Sequence, residues 1–137
     1  MRNIYESDFH RFDGITDYSQ LGLLAISIAT CVNDAFEGGV TQEDTIQHLK
    51  GDLVLVYFDE ESQEVLAFSA VDFTSPAEIF KKPYLSSEIK GTYLGATTVV
   101  QRAQSNGLYK RMNDIILDET IKMQHPYIFM RTQMRKE

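Results

Sequence analysis

The sequence predicts an α+β domain built on a mixed sheet, with the element order β-α-α-β-β-β-α-β. Three observations lead there. Leu53-Val54-Leu55-Val56-Tyr57-Phe58 is a continuous apolar run, the mark of a strand covered on both faces. Between Asp17 and Phe36, the residues Tyr18, Leu21, Leu24, Ala25, Ile28, Ala29, Val32 and Phe36 recur at helical spacing. Finally, Thr92 to Val100 reads as a strand that enters a helix, Leu108 to Met123, through the tight polar turn Gln101 to Gly107.

Composition narrows the function classes. The 137 residues fit one domain, 1–137, large enough for a core, and 43% apolar with 24% charged residues is ordinary for a globular protein. No apolar run approaches the ~20 residues of a membrane span, so no membrane partner is expected. The N-terminus has no apolar h-region, so the expected compartment is the cytoplasm. One cysteine, Cys31, excludes an internal disulfide framework and a cysteine-based zinc site, and its place on an apolar helix reads as core. The spacing of His10, His48 and His125 suggests no metal site. A net charge of −7 leaves no basic footprint for nucleic acid. That acidic balance reads as solubility, with attraction of cationic amines as the sharper alternative.

Taken in order, a short strand is expected around Arg2 to Tyr5, then a polar loop. The first helix is expected from Asp17 to Phe36, capped by Thr16 or Asp17 and stopped by Gly38-Gly39. Thr41-Gln42-Glu43-Asp44 resembles a second helix start, with Ile46 and Leu49 apolar and Gly51 closing it. The run 53–58, the polar turn Asp59 to Gln63 and the return strand Glu64 to Phe73 form a hairpin. Asp72, near its end, reads as a solvated carboxylate or as a polar group lining a cleft. A long irregular connection, 74–91, carries Pro76, Lys81, Lys82 and Pro83. Tyr127-Ile128-Phe129-Met130 is the last strand.

The strand–turn–helix of 92–124 carries the chemistry. A helix start leaves backbone N–H groups without intrahelical partners, which makes a ready anion site. Gly107 would let the backbone approach an anion closely, and Arg102, Lys110 and Arg111 place positive charge beside it.

Gln104-Ser105-Asn106-Gly107-Leu108-Tyr109, at this place in this element order, resembles the GNAT superfamily of acyl-CoA N-acyltransferases. The family's signature there is Gln or Arg, two residues, Gly, one residue, then Gly or Ala. Gln104 and Gly107 match, while Tyr109 replaces the small residue. Val99-Val100-Gln101 stands where the family usually has Val, any residue, Pro, and the Pro is absent. Arg131-Thr132-Gln133 is similar to a stretch seen after the last strand in some members. The resemblance implies the GNAT fold and acetyl-CoA (coenzyme A) as cofactor. It further implies that the pyrophosphate rests on backbone N–H groups of Gln104, Ser105, Asn106, Gly107, Leu108 and Tyr109, with Lys110 beside them. Val99 and Gln101 would contact the pantetheine arm, and an N–H near Val99 would polarise the thioester carbonyl.

Some members carry a glutamate on the fourth strand as general base; here none is present, which leaves Asp72, His125 or a water relay. The family also continues with a further helix and a final strand pair, so the edge of a sheet without them would favour a homodimer. The resemblance therefore implies an N-acetyltransferase acting on a small-molecule or peptide amine. The alternatives are a non-catalytic acyl-CoA-binding or interaction domain of the same fold, and an unrelated small α/β protein. Under the N-acetyltransferase and acyl-CoA-binding readings, Gly107→Glu is expected to lose cofactor affinity with little loss of stability.

Overall fold

In the computed structural model, residues 4–15, 22–35, 51–82 and 88–130 are described. Five strands form one sheet in the sequential order β1-β2-β3-β4-β5. They are β1 (His10–Ile15), β2 (Gly51–Phe58), β3 (Val65–Thr74), β4 (Gly91–Val99) and β5 (Ile128–Met130). Helices α1 (Leu24–Ala35), α2 (Pro76–Phe80) and α3 (Leu108–Lys122) lie between them. The first four strands are antiparallel neighbours, whereas β5 runs parallel to β4. The mixed sheet with helices agrees with the α+β expectation; the second helix expected over Thr41 to Leu49 lies outside the described residues.

The apolar run of β2 is buried on both faces. Leu53 and Leu55 point one way and Val54 and Val56 the other, and all four are 0–2% exposed. Helix α3 covers the Leu53–Leu55 face, which is also the face of Arg11 and Thr92 by register. Two polar contacts seat it: Thr120 Oγ1 lies 2.8 Å from Thr92 Oγ1, and Arg11 donates to Glu119 at 2.6 Å. The β2–β3 hairpin closes through Asp59, whose N–H donates to the Glu64 carbonyl and whose own carbonyl accepts from Gln63.

Two expected boundaries move. The first strand among the described residues is His10–Ile15; of the stretch expected as a strand, Ile4 and Tyr5 are not in one, and Arg2 and Asn3 lie outside the described residues. Tyr5 instead enters a 3-10 turn over Glu6–Asp8, because the Asp8 carboxylate accepts the Tyr5 N–H at 2.8 Å. Helix α1 is described from Leu24, and Gly22 at φ +58 excludes an unbroken right-handed helix through it; Thr16 to Leu21 and Phe36 to Gly39, with the expected cap and stop, lie outside the described residues. Within the 74–91 connection, Ser75 caps the short α2 by accepting the Glu78 N–H, with Pro76 at its first position.

Candidate functional site: a strand edge leading into a helix start

Strand β4 changes neighbours along its length. Thr92, Tyr93 and Leu94 pair with Ile128, Phe129 and Met130 of β5. On its other side β4 stays with β3, but Leu94 faces Val71 while Ala96 faces Ala70, so Gly95 is an extra residue. Such a bulge bends the strand and re-aims the residues beyond it. A Cβ on Gly95 would stand 3.3 Å from the Ala70 carbonyl oxygen, which favours glycine there. Beyond Leu94, the described residues place no strand on the β5 side of β4. Tyr93 to Thr97 are only half-buried, whereas β3 is buried from Ala67 to Val71.

The side of β4 away from β3 carries main-chain groups. The Val100 N–H donates to the Leu66 carbonyl at 2.9 Å and so points at β3. Because strand groups alternate, the N–H groups of Val99 and Thr97 point the other way, to the side on which the described residues place no strand. The Gln104 side chain donates to the Val99 carbonyl at 3.2 Å, which ties the turn back to the strand.

The turn itself starts as a 3-10 segment, Gln101–Ala103. Its inner N–H groups are spent on shape: Ala103 donates to the Val100 carbonyl, Gln104 to that of Gln101, and Asn106 to that of Ala103. Gly107 then takes φ +80 as the N-cap of α3, with no side chain capping the helix. Among the described residues, no group accepts from the N–H of Ser105, Gly107, Leu108, Tyr109 or Lys110. These five lie in the turn and first turn of α3, at the positive end of its dipole. Of the six residues expected to offer N–H groups, Gln104 and Asn106 have theirs committed within the turn. A Cβ on Gly107 would meet nothing within 4 Å, so glycine is needed here for its φ rather than for space.

The three cations beside the turn are not equivalent. Arg102 is paired with Glu64 at 2.6 Å, and Lys110 with Asp114 one helical turn on at 3.0 Å. Arg111 is different: its Nε is buried without a hydrogen-bond partner among the described residues. A buried, unanswered guanidinium nitrogen on the first turns of α3 fits an anion-binding role for this end of the helix. Gln101, expected to contact a ligand, has its N–H bonded to the Asp34 carboxylate and its side-chain amide bonded to the Asp34 carbonyl, both at 2.8 Å. Sequence reading missed Asp34, because the contact spans 67 residues. Its one local signal is an acid in the last turn of α1, where the helix dipole disfavours it.

The candidate bases sit toward the other end of β4. Asp72 faces Tyr93, six residues before Val99, or about 20 Å along the strand. Its carboxylate accepts the Asp52 N–H at 3.3 Å, and burial together with the Asp52 charge raises its pKa. His125 Nδ1 lies 3.4 Å from Thr92 Oγ1, with its ring edge-on to Phe73. Cys31 is a core residue whose thiol is pushed up to about 12 by burial and by the nearby Asp34 charge. A cavity of about 430 Å³ between α1 and the β2–β3 turn is lined by Cys31, Asp34, Glu64 and Arg102, among others. It lies beside the start of the turn, and neither Thr97 nor Val99 lines it. Arg131-Thr132-Gln133 falls outside the described residues.

No family model and no curated protein matches the sequence. Solved structures do match the fold. The chain superposes on a ribosomal-protein-alanine N-acetyltransferase from Brucella melitensis biovar Abortus 2308 with a TM-score of 0.58 and 10% identity, over 92% of this chain and 80% of that one. A GNAT family acetyltransferase from Staphylococcus aureus gives a TM-score of 0.59 at 14% identity, over 93% and 87%. An aminoglycoside N-acetyltransferase in complex with CoA gives 0.59 at 10% identity, over 92% and 76%. The fold of this chain is that of the GNAT acetyltransferases. Among the described residues, no helix is long and apolar enough to cross a membrane.

Proposed function

We propose that this protein binds an acyl-CoA along β4 and the start of α3 and transfers the acyl group to an amine. One observation carries the reading: a strand edge that the described residues leave without a neighbour beyond Leu94 runs, through a turn, into a helix start whose N–H groups have no acceptor among the described residues. An extended amide-bearing arm suits the first half, and a pyrophosphate suits the second. The shared fold with acetyltransferases, one of them bound to CoA, supports the same assignment.

In this reading the N–H groups of Ser105, Gly107, Leu108, Tyr109 and Lys110 hold the phosphates, and Arg111 adds positive charge. The main chain of Thr97 and Val99 holds the arm. When bound, the cofactor supplies an acyl group activated as a thioester. An outward N–H near Val99 donates to the carbonyl oxygen as negative charge grows there. The attacking amine must lose a proton to a base within hydrogen-bond reach or through a water. Asp72 is too far along β4 to act directly beside Val99, so it serves only through waters or on an amine held near Tyr93.

That distance favours the second reading, an acyl-CoA-binding domain without transfer. Two measurements separate the readings. Calorimetric titration with acetyl-CoA and with CoA should give saturable binding of both; no heat with either would overturn the assignment. Release of free thiol over a panel of amines should then exceed release without amine. Binding without amine-dependent release would select the non-catalytic reading.

A further inference from the structure

We infer that Asp34 is a positioning residue for the phosphate-binding turn, holding it through a clamp on Gln101 that takes over the role a proline would play there. This rests on the acyl-CoA reading above.

The start of the turn is fastened at two points. Val100 is bonded to β3 through its N–H and the Leu66 carbonyl. Gln101 is bonded to α1 twice, from its N–H to Asp34 Oδ2 and from its amide Nε2 to the Asp34 carbonyl, each at 2.8 Å. The second bond also satisfies a carbonyl in the last turn of α1, where helices leave such groups unpaired. The carboxylate, however, sits at the negative end of α1, where it opposes the helix dipole. Helix stability alone would place a different residue there. What the carboxylate does is accept an N–H that has no partner inside the 3-10 turn.

From Gln101 the restraint is passed on. Its carbonyl accepts the Gln104 N–H, and the Gln104 side chain returns to the Val99 carbonyl. The next residues hold the outward N–H groups of Ser105 and Gly107. A turn already held in shape loses less conformational freedom when an anion binds.

The backbone here is ready for proline. Val100 has φ −58 and ψ 150, the extended conformation that a residue before proline adopts. Gln101 is the first residue of the 3-10 turn, where a fixed φ and a missing N–H are both tolerated. A proline would restrict the turn covalently and leave no N–H to answer. With glutamine in its place, the N–H exists and Asp34 answers it.

The test is a double-mutant cycle read as CoA affinity by calorimetry on the full chain, with ligand-free thermal unfolding of each variant. Asp34→Ala is expected to bind CoA roughly three- to tenfold more weakly, the effect of losing one hydrogen bond. Asp34→Asn, which keeps a side-chain oxygen, should stay close to the parent. Gln101→Pro should retain affinity, and in that background Asp34→Ala should change it by less than about twofold. Unchanged affinity in Asp34→Ala overturns the clamp while leaving the acyl-CoA reading intact. So does an equal loss in both backgrounds, since Asp34 would then act elsewhere. A fall in unfolding temperature without a change in affinity marks a merely structural contact and also overturns it. Should Asp34→Ala not fold, Gln101→Pro decides alone: retained affinity supports the clamp, and lost affinity overturns it. Absence of CoA binding by the parent protein removes the acyl-CoA reading, and the clamp with it.

Discussion

Asp72 and Glu119 are both partly sequestered carboxylates, yet their surroundings shift them in opposite directions. Burial and the Asp52 charge raise Asp72 above its ordinary 3.8. A carboxylate raised in the folded state costs stability once pH exceeds its unfolded value, and costs nothing below it. Asp72→Asn should therefore raise stability at neutral pH, with the gain vanishing below about pH 3.8. Urea unfolding at about pH 7 and about pH 3.5 checks this; an equal effect at both values would contradict it. Gly107 is the second residue whose role the backbone settles. At φ +80, Gly107→Ala should lose about 1–2 kcal/mol of stability, and Gly107→Asn less. The expectation that Gly107→Glu would spare stability is thus corrected, because any side chain there is strained. Sequence pattern could flag Gly107 as glycine-requiring, but not distinguish close approach from a left-handed φ. Cys31 was legible as a core residue from its helical face, and the raised thiol pKa that its burial causes agrees with that.

Between elements, β1 and α3 are joined by Arg11 and Glu119. Glu119 is 11% exposed in its side chain, and Arg11 holds its carboxyl below the ordinary 4.5. A depressed carboxylate contributes stability above its unfolded pKa and loses it as pH falls through the folded value. Arg11→Ala should cost about 1 kcal/mol near pH 7, since it removes the nearer of the two cations beside that carboxylate and leaves Lys122 at 3.7 Å. The cost should shrink steadily below pH 4.5; a cost unchanged at about pH 3 would assign it to lost packing instead. This pairing also explains why the sequence does not announce β1. His10-Arg11-Phe12-Asp13 has too little apolar content to read as a strand, because an edge strand buries little of itself. Its register comes from β2, and its polar side chains reach α3, neither of which is local. By contrast, β2, β3 and β4 were legible, since strands in the middle of a sheet must be apolar or β-branched along their length.

Across the described residues, the sequential sheet with one parallel strand pairs the first residues of β4 with β5, while beyond Leu94 the described residues place no strand on that side. The succession of β2, β3 and β4 and the start of α3 were readable because each leaves a local pattern. The bulge at Gly95, the Asp34–Gln101 bonds and the commitment of the Gln104 and Asn106 N–H groups were not, because they depend on the folded backbone and on partners beyond the local pattern. The central claim is that the outward N–H groups of β4 and the α3 start form one binding surface for an acyl-CoA. Amide chemical shifts of the ¹⁵N-labelled protein titrated with CoA test it most directly. Saturable shifts concentrated at Thr97, Val99, Ser105 and Gly107 to Lys110 are expected, with Leu53 to Val56 little moved. Shifts centred elsewhere, or none at saturating CoA, would contradict it.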